Sequence, residues 1–282
     1  MGISIGGCES FSIREGWIPK SLKIIKDYDR NPFLSEDAVV IFGLGSNMIK
    51  SIRYYLKLAN LIIEQNGKVS LNKEDGIDYL IEKDPYFEDD FSYYLFHHLI
   101  VTSKTRETVF NYLFNNFHFK TFTKDDIKND IREYSYVNGK ELNEKTLDND
   151  VRTLISTYYK EDKKVDVENS YTSPLVSLKL LKKLDNGSYE KINGNVSNVP
   201  ELLVFYSICE CVNDSNAISL SELMSTHNSP AKVFNLNEDN FYRFIDKLRR
   251  DKYIRFESTA GLNMIYLNKR LSLKDVIKEH YK

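Results

Sequence analysis

Cysteine, glycine and proline are scarce in this sequence, and no stretch stays apolar for long. Its 282 residues include 3 Cys, 12 Gly and 6 Pro. So few cysteines cannot form the disulfide framework of a small secreted domain, which predicts a reduced, cytoplasmic protein. The low glycine and proline content argues against long disordered linkers. No run approaches the ~18 apolar residues of a membrane span, and the N-terminus lacks a signal-peptide pattern, so we expect no membrane partner.

The sequence also lacks a charge excess of either sign. Its formal net charge is −2, and 41% of its residues are hydrophobic and 28% charged, as is typical of globular proteins. A length of 282 residues is enough for two or three domains. Because there is no global basic field, any nucleic-acid site must be a local patch.

Residues 46–57 contain no acidic residue and provide such a patch. Gly43 and Gly45 predict a tight turn, after which Ser46 or Asn47 caps a helix. Apolar side chains at helical spacing form one stripe of this helix: Ile49, Ile52, Leu56 and Ala59. Basic side chains form a second stripe about one position round: Lys50, Arg53 and Lys57. Such a helix buries one side and presents the other to a polyanion.

The flanking segments complete the pattern of a winged helix-turn-helix. Residues 34–42, with Ser35 as cap, predict the first helix, and the Asn66–Gly67 turn between two apolar runs predicts a hairpin wing. In such folds the start of the second helix reads base edges, while nearby cations hold phosphates. The predicted DNA contacts are therefore Ser46, Asn47, Lys50, Ser51, Arg53, Tyr54 and Lys57.

The middle of the chain predicts helices. Residues 102–117 predict one amphipathic helix, and the adjacent His97 and His98 before it predict one packed and one exposed ring. Thr123 with Asp126 predicts a capped helix that opens a new unit at about residue 121. A later helix has a polar side that we expect to be exposed: Asp148, Asn149, Asp150 and Arg152. Residues 161–170 then predict a charged connector, and residues 185–187 predict a hairpin turn.

A second winged helix is predicted at the C-terminus. Pro200 opens a helix, and a later helix from about residue 237 is followed by two strands. The polar side of that later helix adds Arg243, Lys247 and Arg250 to the predicted DNA contacts. The fold class is thus α+β, predominantly α-helical, with winged helix-turn-helix units at both ends and a helical middle. We place the domains at residues 1–120, 121–196 and 197–282.

The N-terminal segment, residues 6–20, is polar but carries the only tryptophan, Trp17. A helix is expected from about Pro19, and apolar neighbours predict that Trp17 is buried: Ile13, Ile18 and Leu22. Glu9 and Arg14 admit two interpretations. They form an internal ion pair, or they belong to a site in which the carboxylate activates water or holds a divalent metal while the guanidinium stabilises a pentavalent phosphate.

The same segment carries a family resemblance. GGCESFSIREGWIPK and the later GLGSNMIKSIRYYL resemble the signature of a bacterial family of unknown function found in gene clusters for DNA phosphorothioate modification and phage defence, with SspB-like nicking proteins as its named members. The matching positions are Gly7, Glu9, Phe11, Arg14, Gly16, Trp17, Lys20, Gly43, Gly45, Asn47, Met48, Ser51, Ile52 and Arg53. Three positions depart from the signature: Cys8 replaces His, Ser10 replaces Thr, and Ser46 replaces a common Lys.

The resemblance implies a DNA-binding protein of such a system that nicks DNA for sulfur insertion, with Glu9 and Arg14 as candidate catalytic residues. Nicking would use Mg²⁺ or Mn²⁺, and the sequence identifies no metal ligands. Double-stranded DNA is the expected partner, with a sulfur-transfer enzyme and an ATPase of a modification complex; homodimerisation is left open. The residues alone favour the alternatives, a non-catalytic DNA-binding adaptor or a winged-helix transcription regulator, because no convincing nuclease constellation is present.

Overall fold

A computed structural model describes residues 2–28, 30–161, 172–212, 216–259 and 261–282. In these ranges the chain is mixed α/β and about 50% helical, with small antiparallel sheets. Apart from Glu161, the predicted connector at residues 161–170 falls outside the described residues. No helix in the described ranges is both long and apolar enough to cross a bilayer.

The N-terminal part consists of short helices followed by a hairpin. Its elements are α1 (Trp17–Asp27), a 3-10 turn (Pro32–Leu34), α2 (Ala38–Phe42), α3 (Ser46–Leu58), β1 (Ile62–Gln65), β2 (Lys68–Leu71) and α4 (Ile77–Lys83). Gly43 ends α2 in the left-handed conformation and turns the chain toward α3. Gly45 is the N-cap of α3, which has no side-chain cap of the kind predicted. Asn66 and Gly67, with φ of 51° and 73°, form the predicted two-residue turn between β1 and β2.

Two helix boundaries differ from the sequence-based expectation. The helix predicted at residues 34–42 is shorter, because Pro32 opens a separate 3-10 turn and the Ser35 hydroxyl accepts a hydrogen bond from the Asp37 amide, so that α2 begins at Ala38. By contrast, α1 begins earlier than predicted, at Trp17. The Trp17 ring is buried, as predicted, and its centre lies 6.5 Å from that of the Phe11 ring. Helix α1 packs against α3 and β2.

The middle part joins helices to a small sheet. Its elements are α5 (Asp90–Val101), α6 (Val109–Asn115), β3 (Thr121–Phe122), α7 (Lys124–Val137), α8 (Glu144–Tyr158), a second 3-10 turn (Pro174–Leu178), β4 (Leu181–Lys183) and β5 (Tyr189–Lys191). The capping box of Thr123 and Asp126 is present, and β4 and β5 form the predicted hairpin. Strand β3 pairs with β5, giving the order β3-β5-β4.

The prediction that one histidine of the pair is exposed is wrong, because both rings are buried. His97 lies 2.8 Å from the Tyr158 hydroxyl and 2.8 Å from the Val233 carbonyl, while His98 lies 3.1 Å from the Ser207 hydroxyl. Helix α5 is therefore covered on both sides. Burial lowers the pKa of His97 to about 4 and that of His98 to about 3.

The single helix predicted at residues 102–117 is also wrong. Helix α5 ends at Val101, and α6 begins only at Val109, where the Thr108 side chain accepts a hydrogen bond from the Asn111 amide as N-cap. Residues 102–108 form a loop between the two helices, called here the 102–108 loop. This loop, which holds Lys104 and Arg106, contributes to the site described below.

The C-terminal part contains α9 (Glu201–Cys211), β6 (Ala217–Ser219), α10 (Leu220–Ser225), α11 (Pro230–Val233), α12 (Glu238–Arg250), β7 (Ile254–Thr259), β8 (Leu262–Leu267) and α13 (Leu273–His280). The two predicted strands are β7 and β8, and β6 adds to them in the order β6-β8-β7. Helix α13 packs against α4 and α9. His280 stacks on Phe91, with ring centroids 3.9 Å apart, and lies 2.7 Å from an Asp89 carboxylate oxygen, which ties the C-terminus to α5.

Candidate nucleic-acid interface

Helix α3 has a buried side and a polar side, as its two stripes predict. Ile49, Ile52 and Leu56 are buried, whereas Lys50 and Lys57 are exposed. The apolar stripe is held against α1 and α5. The fold therefore fixes the direction in which the basic side chains of α3 point.

The polar side of α3 faces the 102–108 loop across a groove of about 310 Å³, called here the basic groove. Four cationic side chains line it: Lys50, Arg53, Lys57 and Arg106. Tyr54, Leu58 and Thr105 complete its walls. Arg106 and Thr105 are not among the contacts that the sequence predicts, because residues 102–108 are predicted to be helical. The signal was the run SKTRE, which has no apolar residue at helical spacing.

Glu64, on β1, holds two of these four cations. Arg53 donates from Nε and Nη2 to the Glu64 oxygens at 2.7 and 2.9 Å, and Lys57 Nζ donates at 3.0 Å. Asn31 Nδ2 donates to the same carboxylate at 3.3 Å. Burial opposes ionisation of Glu64, but the bonds from Arg53 and Lys57 outweigh it and lower its pKa to about 2. The carboxylate is therefore charged throughout the physiological range.

The other two cations, Lys50 and Arg106, are not tied to a carboxylate of the described residues. Lys50 Nζ lies 3.4 Å from the Asn47 side-chain oxygen, and the Arg106 guanidinium lies 5.6 Å from the centre of the Tyr54 ring. Neither forms an ion pair with a described residue. These two cations are consequently available to an anion that enters the basic groove.

The remaining predicted contacts of α3 differ in exposure. Ser46 and Asn47 are exposed at the start of the helix. Ser51 is fully buried, with its hydroxyl 3.5 Å from the Phe11 carbonyl, so it does not face the solvent. Tyr54 is half-buried, and its ring leaves no space for a side chain at Gly7, where an added Cβ would lie 2.1 Å from a ring carbon. This contact joins the N-terminal segment to α3.

Glu9 lies in a strained turn of that segment. Glu9 and Ser10 have φ of 48° and 63°, a left-handed conformation that costs ~1–2 kcal/mol per non-glycine residue. The Glu9 side chain is exposed. Arg14 is half-buried, with its guanidinium 5.5 Å from the centre of the Phe11 ring and 5.3 Å from that of Trp17. Arg14 is thus placed by aromatic packing.

The Asp150 carboxylate, on α8, holds the residues just before this turn. The expectation that Asp150 is exposed is wrong: it is 3% exposed, and it accepts hydrogen bonds from the Gly6 amide at 2.9 Å and the Cys8 thiol at 3.3 Å. Burial, together with the Asp150 charge, raises the pKa of the Cys8 thiol to about 12. Cys8 therefore stays a neutral thiol and serves as a hydrogen-bond donor.

The predicted contacts on α12 lie apart from this site in the sequence. Arg243 and Arg250 are exposed, and Arg250 Nε donates to the Asp246 carbonyl at 3.3 Å. Lys247 forms an ion pair with Glu201 of α9. The α12 surface thus offers fewer uncommitted cations than its sequence indicates.

Across the described parts of the chain, no group of three or more His, Cys, Asp or Glu side chains is placed to bind a single metal ion. Glu9 therefore belongs to no such group among the described residues.

Comparisons with known proteins agree on the family and the fold. Two solved structures match: a magnesium ion-bound SspB crystal structure (TM-score 0.86) and an SspB crystal structure (TM-score 0.83). Each is 20% identical to this chain, and each match covers 99% of this chain and 88% of the other. A search of curated proteins finds no match. The model of the family described as "Protein of unknown function (DUF4007)" matches residues 6–281, and the chain belongs to this family.

Proposed function

We propose that this chain binds double-stranded DNA, and that the basic groove holds the phosphate backbone. The observation that supports this most directly is the collection of four cations around one groove in a chain with a net charge of −2. Cations concentrated on one surface supply the sequence-independent, salt-dependent part of DNA affinity. The signature in the N-terminal segment and the likeness to SspB support a role in DNA phosphorothioate modification or related phage defence.

The mode of binding that we propose is that of a winged helix. Helix α3 follows α2 through a tight turn, and the β1–β2 hairpin follows α3, which is the order of a helix-turn-helix with a wing. In this mode the exposed Ser46 and Asn47 approach base edges. Ser51, being buried, is left out of the proposed contacts. The exposed Arg243 and Arg250 of α12 would form a second, weaker DNA contact.

Lys50 and Arg106 would meet the DNA backbone first, because neither is paired with a carboxylate in the described parts of the chain. Arg53 and Lys57 would bind a phosphate in one of two ways. Either they keep their hydrogen bonds to Glu64 and donate to the phosphate as well, or they break those bonds. Both cations lie within 3.0 Å of that carboxylate, so the exchange needs a shift of side chains only.

Charge reversal at the two uncommitted cations tests the proposal. Lys50→Glu with Arg106→Glu should weaken duplex binding at low salt by at least about tenfold, since two phosphate contacts become repulsive. The matched control is Lys145→Glu with Lys278→Glu, at exposed lysines of α8 and α13. Equal affinity of the two double variants, with native circular dichroism, would contradict the proposal.

DNA nicking is the second candidate function. It is favoured by the exposed Glu9, which lies in a strained turn two residues after the Gly7–Tyr54 contact, and by the shared fold with a magnesium-bound SspB. If Glu9 is catalytic, Glu9→Gln should lower nicking of supercoiled plasmid in Mg²⁺ or Mn²⁺ by about a hundredfold or more without changing duplex affinity. Glu15→Gln is the control, at a nearby exposed acid. If the unmodified protein does not nick in either metal, two roles remain: an adaptor that brings a sulfur-transfer enzyme and an ATPase to DNA, or a winged-helix transcription regulator.

A further inference from the structure

A cavity of about 510 Å³ is lined by residues of α3, α5, α9, α13 and the 102–108 loop. We call it the α5–α9 cavity. Leu58 and Thr105 line both this cavity and the basic groove, so the two spaces adjoin. Its volume lies within the ~300–1,000 Å³ that is typical of small-ligand sites. Apolar side chains from four parts of the fold form one share of its wall: Leu58, Ala59, Leu99 and Leu273.

His98 presents an unpartnered nitrogen to this cavity. The side chain is 3% exposed and belongs to the cavity wall. Its Nδ1 lies 3.1 Å from the Ser207 hydroxyl, whereas Nε2 has no hydrogen-bond partner among the described residues. Nε2 is not one of the fully enclosed polar atoms that lack a partner, so it keeps some accessible surface. Because the ring lines the α5–α9 cavity, this nitrogen opens into it.

The hydrogen-bond network places the proton of the His98 ring on Nε2. Ser207 is fully buried, and in the described ranges its hydroxyl has His98 Nδ1 as its one hydrogen-bond partner. The hydroxyl therefore donates to Nδ1, which leaves the ring proton on Nε2. Burial lowers the pKa of His98 to about 3 and also lowers the pKa of His227, the other histidine of the wall. At neutral pH His98 is thus an uncharged N–H donor.

The α5–α9 cavity carries one uncompensated negative charge. Its acids are Asp75 and Glu210, and Lys104 forms a 2.7 Å ion pair with Glu210. Asp75 Oδ2 accepts a hydrogen bond from Asn72 Nδ2 at 2.7 Å, whereas Oδ1 is not enclosed and has no partner among the described residues. Burial, followed by the charges of Glu210 and Asp75, raises the pKa of Tyr206, so both carboxylates lie near that ring.

From these groups we infer that the α5–α9 cavity binds a small organic amine that is protonated at neutral pH. Its ammonium group pairs with the Asp75 carboxylate, and an oxygen of the same molecule accepts the hydrogen bond from His98 Nε2. The apolar share of the wall holds its aliphatic part. A single positive charge suits the cavity because it cancels the charge of Asp75, whereas an anion would meet two carboxylates.

A ligand-observed NMR titration of the full chain at pH 7, without DNA, tests the site with three probes. L-Leucinamide carries an ammonium group, a carbonyl oxygen and an aliphatic side chain. N-acetyl-L-leucinamide lacks the positive charge, and isoamylamine lacks the carbonyl. L-Leucinamide should bind saturably, N-acetyl-L-leucinamide at least about tenfold more weakly, and isoamylamine at least about threefold more weakly.

Charge-removing variants assign the binding to this cavity. Asp75→Asn keeps an oxygen for Asn72 and should weaken L-leucinamide binding at least about tenfold. Glu210→Gln frees Lys104 and removes the net charge of the cavity, so it should weaken binding at least about threefold. Glu74→Gln, at the neighbouring exposed acid, is the matched control and should stay within about twofold of the parent. Melting temperatures verify that each variant is folded.

Three results would overturn the assignment. One is the absence of saturable L-leucinamide binding up to about 20 mM. The second is equal affinity for L-leucinamide and its N-acetyl derivative. The third is an affinity that both Asp75→Asn and Glu210→Gln leave unchanged. The titrations contain no DNA, so each of these results would leave the proposed DNA binding intact, and a failure of DNA binding would leave the amine site intact.

Discussion

Replacement of Glu64 by glutamine tests the electrostatics of the basic groove. Glu64→Gln keeps the shape of the side chain and its hydrogen-bonding oxygen but removes the charge that holds Arg53 and Lys57. The lowered pKa of Glu64, about 2 against an ordinary 4.5, means that the folded protein favours the ionised carboxylate. Glu64→Gln should therefore destabilise the fold at neutral pH.

The size of the loss follows from the pKa. A shift from 4.5 to about 2 corresponds to roughly 3 kcal/mol, at ~1.4 kcal/mol per pKa unit. Solvent screens part of this, because the side chains of Arg53 and Lys57 are 32% and 46% exposed. We expect Glu64→Gln to lower the free energy of unfolding by about 1–2 kcal/mol at pH 7. Because the folded-state pKa is depressed, this contribution is complete above pH 4.5 and is lost as pH falls toward 2.

Urea unfolding at pH 7 and pH 3 measures the effect. The difference in the free energy of unfolding between the parent and Glu64→Gln should be less than half as large at pH 3 as at pH 7. The control is Glu36→Gln, at an exposed acid before α2, which should stay within about 0.5 kcal/mol of the parent at both pH values. An equal loss at pH 7 and pH 3 would show that packing, and not charge, explains the effect. No loss at pH 7 would refute the ion-pair account.

Three further predictions concern the core. Trp17→Ala should lower the free energy of unfolding by about 3–5 kcal/mol in urea denaturation, because the ring is buried, and a loss below about 1 kcal/mol would contradict this. The Cys8 thiol is buried and its pKa is about 12, so it should react slowly with Ellman's reagent at pH 8. We expect a rate at least about a hundredfold lower in the native state than in urea. Equal rates would show that the thiol is accessible in the native state. His97 and His98 have pKa values of about 4 and about 3, below the ordinary 6.5, so they favour the fold above pH 6.5. At ~1.4 kcal/mol per pKa unit, the free energy of unfolding should fall by roughly 3 kcal/mol for each ring between pH 6.5 and 4. In His98→Gln the fall should be smaller, and an undiminished fall would rule this ring out as a cause.

The local elements of the fold and of the candidate site could be predicted from the sequence, because their signals lie within a few residues. The apolar and basic stripes of α3, the Asn66–Gly67 turn and the capping box of Thr123 are of this kind. The three domain boundaries and the DNA contacts stay predictions. Contacts between distant segments could not be predicted. Glu64 reaches Arg53 only because the β1 strand folds back along α3, and Arg106 reaches the groove only because α5 ends at Val101.

Buried polar residues were the main source of error. Ser51 lies on the side of α3 that the N-terminal segment covers, and a helical wheel contains no information about that cover. Asp150 belongs to the polar side of α8 by periodicity, yet the turn at Gly6 and Cys8 packs over it. In each case a segment more than 30 residues away in the sequence decides whether the side chain is exposed, with separations of 40 residues for Phe11 and Ser51 and 144 for Gly6 and Asp150.

The salt dependence of duplex binding tests the central claim most directly. Each phosphate contact contributes a slope of about −0.9 to the plot of log affinity against log salt concentration. With four cations in the basic groove, the slope should be about −3 or steeper, and Lys50→Ala and Arg106→Ala should each make it shallower by about one unit. Lys145→Ala, on α8, should leave it unchanged. A slope near zero, or a steep slope that neither groove variant alters, would contradict the assignment of the basic groove as the DNA-binding surface.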